Sequence, residues 1–187
     1  PRRDINNFPT ERQALNVRRN SNHSSLMTVK QTATNHLKVL PTTLITTMLY
    51  FGAFWYLGFQ SDLSIILLIG YILTVVPSFY LHLNYYLNDR EKICQILPEK
   101  LVIIKNGVET VLEAACIKDV VIYKSASIES GGIPITPMES YFYVRIIDQS
   151  DNEYTLSCLL DPKIDQTIRA IKGVKFWTER GIFNLIK

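Results

Sequence analysis

Two apolar runs dominate the pattern of this chain. From Val39 to Ser61 (VLPTTLITTMLYFGAFWYLGFQS) there is no charged residue, and from Leu63 to Asn88 (LSIILLIGYILTVVPSFYLHLNYYLN) there is again none. Each run is long enough as an α-helix to cross a hydrocarbon core of roughly 30 Å. Asp62 is the one charge between them, beside the turn formers Gly58, Gln60 and Ser61, so the pair predicts a tight helical hairpin. The second run, at about 1.5 Å per residue, exceeds the core and predicts tilt or a protruding last turn. Pro77, with Gly70 before it, marks a kink. Thr42, Thr43, Thr46 and Thr47, with Gly52 and Ala53, put small and hydroxylated groups at helical spacing. Such a face suits close packing within the hairpin or between copies.

Beyond Lys92 the period shortens. LVII, an Asn106-Gly107 pair and VETVL read as a β-hairpin, because Asn-Gly between apolar runs favours a two-residue turn. KDVVIYKS supplies a third strand, and YFYVRIID and EYTLSCLL, joined by QSDN, a second hairpin. Between them ASIESGGIPITPMES (126–140), with two glycines and two prolines, reads as a loop. Asp161 and Pro162 then open a closing helix, in which Ile164, Ile168 and Ile171 form one apolar stripe. Gly173 ends or interrupts it, and Phe176, Trp177, Ile182, Phe183 and Leu185 continue the packing beyond. The fold class expected is a membrane α-hairpin followed by an α+β unit of strands first and a helix last.

Charge sets the orientation. The net charge is +3, with seven basic and two acidic residues in 1–38 but 13 basic and 14 acidic from Asp89 onward. The hairpin turn has no Lys or Arg, whereas Lys30, Lys38, Arg90 and Lys92 flank the spans, so both ends are expected on the cytoplasmic side. Tyr50, Trp55, Tyr56, Tyr80, Tyr85 and Tyr86 lie toward the span ends, where amphipathic rings favour the headgroup region. The absence of a strongly basic folded unit argues against nucleic acid as a partner.

The opening residues, rich in Asn, Ser and Arg, lack a sustained apolar period and are expected to be disordered. The chain does not open on Met and the first one is Met27, so residues 1–26 are expected to be an upstream extension or to have been placed before the natural start. The expected domains are a polar segment over 1–36, the transmembrane hairpin over 37–88 and a cytoplasmic unit over 89–187.

Candidate chemistry is sparse. Cys94, Cys116 and Cys158 form no close pair with metal-ligand spacing, and are expected as reduced thiols. The unit after Asp89 contains no histidine, so a cysteine nucleophile there has no imidazole base. His82 is expected at the cytoplasmic interface, and the carboxylates fall at turns and polar faces. No phosphate-cradling loop occurs, since Gly131-Gly132 leads into Ile-Pro. The reading is non-catalytic, with no cofactor and no metal. Two surfaces stand out: the loop residues Ile133, Pro134, Ile135 and Met138, expected to meet a partner protein, another copy or the bilayer surface, and the basic residues Arg90, Lys92, Lys100 and Lys105, expected to face the nearby membrane. The charge pattern of the first β-hairpin, Lys105 beside Glu109, gives no cluster for phosphoinositide recognition.

The order of a two-helix hairpin ending in YYLNDR, then EKLVIIKNGVE, CIKDVVIYKS, YFYVRIID and YTLSCLLDP before a closing helix resembles the bacterial pleckstrin-homology-like membrane proteins. The resemblance covers roughly Thr34 to the end. It implies a strongly bent antiparallel sheet or partial barrel with one end plugged by the C-terminal helix, and a location in the bacterial inner membrane. It carries over no catalytic residue. The function expected is a membrane-anchored binding or assembly module whose partners are the bilayer and a protein or second copy. The alternatives are a lipid or small-ligand sensor and, further off, a small membrane-tethered hydrolase or transferase.

Overall fold

The computed structural model describes residues 26–58 and 62–186. Of the extension expected at 1–26, only Leu26 lies within the described residues, as do neither Gln60 nor Ser61 of the expected turn. The chain begins with strand β1 (Met27–Lys30), then four helices, α1 (Ala33–Val39), α2 (Pro41–Leu57), α3 (Asp62–Thr74) and α4 (Val76–Asp89). Strands β2 (Lys92–Ile96), β3 (Lys100–Lys105), β4 (Val108–Glu113) and β5 (Ile117–Lys124) follow. A short helix α5 (Ala126–Glu129), β6 (Tyr143–Asp148), β7 (Glu153–Ser157), a helical turn α6 (Ile164–Thr167) and β8 (Phe176–Arg180) complete it.

The strands form two four-stranded sheets, in the orders β1-β2-β3-β4 and β7-β6-β5-β8. Strand β1 pairs antiparallel with β2, Lys30 opposite Ile93 and Met27 opposite Ile96. The helices are therefore an insertion between two adjacent strands of one sheet. The polar segment expected to reach residue 36 gives way at Met27, and the sheet does not begin after Asp89 but uses β1 from before the helices. MTVK is too short to read as a strand on its own, and what recruits it is the edge of β2.

Helix α1 is bent by 55° from α2, with Leu40 and Pro41 at the break. The residues of α3 and α4 run from Asp62 to Asp89 as 28 residues, interrupted at Val75, and their most apolar 18-residue window has a mean hydropathy of 2.1. Pro77 sits in the first turn of α4, where its missing N–H and ring break the ladder to the preceding turn. Tyr50 of α2 packs edge-on against Tyr71 of α3 at 5.6 Å and accepts a hydrogen bond from Thr74 Oγ1 at 3.3 Å. Gly70 makes room for it, since a Cβ there would lie 2.9 Å from the Tyr50 hydroxyl.

The Asn106-Gly107 turn joins β3 to β4 with Lys105 opposite Val108. Both residues take positive φ, 53° and 78°, as a type I′ turn requires. One core lies between the sheets: Cys94, Ile96, Leu101 and Leu112 from the first, Val120, Ile122, Val144, Ile146 and Leu156 from the second, and Leu81 and Tyr85 from α4. Tyr85, expected at a headgroup boundary, is instead fully buried in this core.

The closing helix is shorter than expected. Its stripe is present, with Ile164, Ile168 and Ile171 all buried, but α6 gives way to a 3-10 turn at Ile168–Ala170 and Gly173 takes φ 77°. Phe176 and Trp177 then enter β8, which pairs parallel with β5, Val121 opposite Trp177. An aromatic, β-prone run meeting an uncovered strand edge gains a ladder of backbone hydrogen bonds that a further helical turn would not supply.

Candidate functional site

The helices and sheets are locked together at the foot of α4. Asn84 Nδ2 donates to the Ile186 carbonyl at 3.1 Å and its Oδ1 accepts from the Ile186 N–H at 3.1 Å. One residue on, the Tyr85 hydroxyl donates to the Asn184 carbonyl at 2.6 Å. The Asp89 carboxylate accepts from Lys92 Nζ at 3.1 Å, from the Ser157 N–H at 3.2 Å and from the Ser157 hydroxyl. On the other side, Asn35 of α1 donates to the Leu160 carbonyl at 2.6 Å. Thr42 of α2, expected to pack within the hairpin or between copies, meets Ser140 hydroxyl to hydroxyl at 3.3 Å.

Two histidines meet here that the sequence reading did not join. His36 Nδ1 lies 3.0 Å from His82 Nε2, and His82 Nδ1 lies 3.2 Å from the Tyr141 hydroxyl. The signal was available in principle: His36 lies just before the first apolar run and His82 six residues before the end of the second, so folding the hairpin brings them level.

The loop over 126–140 is a shaped feature. The Ser125 hydroxyl caps α5 through the Ile128 N–H at 3.3 Å, and the Gly132 N–H returns to the Ser127 carbonyl at 2.8 Å. The buried Glu139 carboxylate accepts from the Ile135 N–H at 3.0 Å. This frame presents Ile133 and Ile135, 86% and 83% exposed. Pro134 is half-buried, and Met138 turns inward against the core. A cleft of about 330 Å³ separates Pro134, Ile128 and Ser140 from Lys38, Pro41 and Thr42.

The four basic residues expected to face the membrane do not form one surface. Lys92 is a correction: it is 6% exposed, its ammonium held by Asp89 and donating to the Thr155 carbonyl at 2.7 Å. Arg90 is exposed and paired with Glu91 at 3.3 Å. Lys100 lies half-buried at the far end of β3, opposite Glu113. Lys92 and Lys105 are opposite each other across β2 and β3. They line a cleft of about 350 Å³ with Asn88, Thr110, Glu153, Tyr154 and Thr155.

On the outer face of the second sheet, Tyr123 and Tyr143 stack at 4.6 Å. The Arg145 guanidinium lies 5.0 Å from the Tyr123 ring centre, donates to the Tyr123 hydroxyl and reaches Glu153 at 3.4 Å. Burial, with Tyr123 alongside, pushes the Tyr143 phenol up to about 12. Burial likewise pushes the Cys94 and Cys158 thiols up to about 12, which holds both as inert thiols at neutral pH. Cys116 is exposed. Among the described residues no group of three or more His, Cys, Asp or Glu is placed to hold a metal ion.

The arrangement offers clefts with mixed polar and apolar walls, an apolar loop tip and two sheets with a shared core. No curated protein and no solved structure matches the chain. A family model for the PH domain matches residues 17–165, a stretch that takes in β1, all four helices and β2 through β7. PH domains are generally non-catalytic modules that bind lipids or proteins. By this match, which runs through the inserted helices as well as the strands on either side of them, the chain belongs to the PH domain family.

Proposed function

We propose that this chain is an integral membrane protein in which the helical insertion holds a non-catalytic PH-like binding or assembly module against the cytoplasmic surface of a bacterial inner membrane. The observation that carries the reading is the exposure of apolar side chains around the helices. Met48, Leu49, Phe51 and Trp55 of α2 are 61–86% exposed, and Ile65, Ile66 and Leu73 of α3 are 61–65% exposed. Only 17% of the most apolar window of Asp62–Asp89 is buried. A helix in the core of a water-soluble protein buries such a surface, whereas one that is apolar all round suits a bilayer. The basic residues Lys30, Lys38 and Arg90 at one end and Asp62 at the other favour cytoplasmic termini. The cleft lined by Lys105, Thr110 and Thr155 then remains open to solvent for a ligand or partner segment.

Cysteine accessibility in intact cells tests this. In the full chain with Cys116→Ser and Asp62→Cys, a membrane-impermeant maleimide added outside should label residue 62, while in the unsubstituted chain Cys116 should label only after lysis. Labelling of Cys116 from outside, or release of the protein by alkaline carbonate, would overturn the proposal.

A further inference from the structure

We infer that the tip of the 126–140 loop, Ile133-Pro134-Ile135, is a second membrane contact that dips into the interface of the same leaflet from which α2 enters. This rests on the membrane reading of the helices. Helix α2 has 17 residues, about 25 Å at 1.5 Å each, less than a hydrocarbon core of roughly 30 Å. It has no length to stand clear of the bilayer, and the exposed, charged Lys38 just before it favours the interface for its first turn. Ser140, at the base of the loop, touches Thr42 in that first turn at 3.3 Å. Pro134 faces Pro41 and Thr42 across the shared cleft. The two isoleucines on either side of Pro134 are thus held at interfacial height, and each is more than four-fifths exposed.

The loop is also built for a dry neighbour. No charged residue occurs from Ser130 to Met138, so insertion desolvates no ion. The Ile135 N–H in the tip and the Gly132 N–H beside it are already bonded within the loop, to buried Glu139 and to Ser127, which spares the cost of burying those two backbone donors. Pro134 and Pro137 fix their own φ angles, so little freedom is lost on contact. An interfacial segment gains from apolar area in proportion to what it buries, and the lipid is the apolar phase continuous with the neighbouring faces of α2.

Spin labels on the full-length chain in nanodiscs of phosphatidylethanolamine and phosphatidylglycerol test it, in a Cys116→Ser background. A label at Ile133→Cys should collide more with oxygen than with a water-soluble nickel chelate, as should one at Leu49→Cys on α2. A label at Val108→Cys, on the β3–β4 turn, should show the opposite ratio. If the label at 49 is lipid-exposed but that at 133 favours the nickel chelate, the loop inference fails and the helical anchor stands. A label at 133 that is immobilised and shielded from both probes points to a protein surface, a second copy included, and also overturns it. If the label at 49 favours the chelate, the membrane reading fails and this inference with it.

Discussion

Asp89 and Ser157 are joined twice: the carboxylate at the end of α4 takes both the hydroxyl and the backbone N–H of the last residue of β7. Its ion-pair partner Lys92 takes the Thr155 carbonyl, two residues earlier on the same strand. Strand β7 is the edge of its sheet, and Thr155 and Ser157 turn these groups outward. One buried ion pair thus covers the polar groups that a neighbouring strand would cover, a way of blunting an edge against unwanted pairing.

Asp89→Ala should be severe, because it leaves the Lys92 charge buried without a partner, a change costing about 3–5 kcal/mol. Combining it with Lys92→Met should recover part of that loss. Thermal unfolding of the purified chain in mild detergent measures both.

Tyr85→Phe removes the hydrogen bond to the Asn184 carbonyl in a buried setting and should cost about 1 kcal/mol. Asn84→Leu removes both bonds to Ile186. In that variant the Ile186 N–H should exchange with solvent markedly faster than in the parent, while the N–H groups of the β3–β4 ladder are unchanged.

Acid should weaken the second hairpin. The Asn152 side chain, with the Ser150 and Asn152 N–H groups, holds the Asp148 carboxyl below its ordinary value of 3.8. A lowered folded value means stability present above the unfolded value and lost as pH falls through the folded one. The urea midpoint should therefore fall as pH drops through 3.8 and below, and Asp148→Asn should flatten that part of the dependence.

Thiol chemistry should single out one residue. A maleimide at neutral pH should modify the exposed Cys116 in the native chain, and reach Cys94 and Cys158 only after denaturation. Mass spectrometry of the modified chain would count the adducts directly.

A fragment starting at Lys92 should not fold. It lacks β1 along β2, and it lacks Val39, Leu81 and Tyr85 from the core. Circular dichroism and amide dispersion of this fragment should be those of a largely unfolded chain, whereas the full chain in detergent gives a cooperative transition.

The parts legible in the sequence were those in which a residue's conformation depends on near neighbours. The Asn106-Gly107 turn, the strands of both hairpins and the Ile164, Ile168, Ile171 stripe all came from local pattern. The parts that escaped depend on partners far along the chain. MTVK becomes a strand only through β2, and Phe176 and Trp177 become one only through β5. At the site, the loop over 126–140 was readable from its glycines and prolines, yet the inward turn of Met138 was not. Lys92 read as a surface cation, because its burial depends on how α4 meets β7.

The placement of the helices between β1 and β2 also bears on how the protein is made. Synthesis delivers β1 first and β2 only after residues 31–91, so β1 has no strand of its sheet to pair with until the whole helical insertion has been made; on the proposed membrane reading both crossings are threaded in that interval. If a single crossing were completed, β1 and β2 would be left on opposite sides of the bilayer and could never pair. On that reading, closure of the sheet reports correct insertion: a chain with one crossing keeps the β2 edge open.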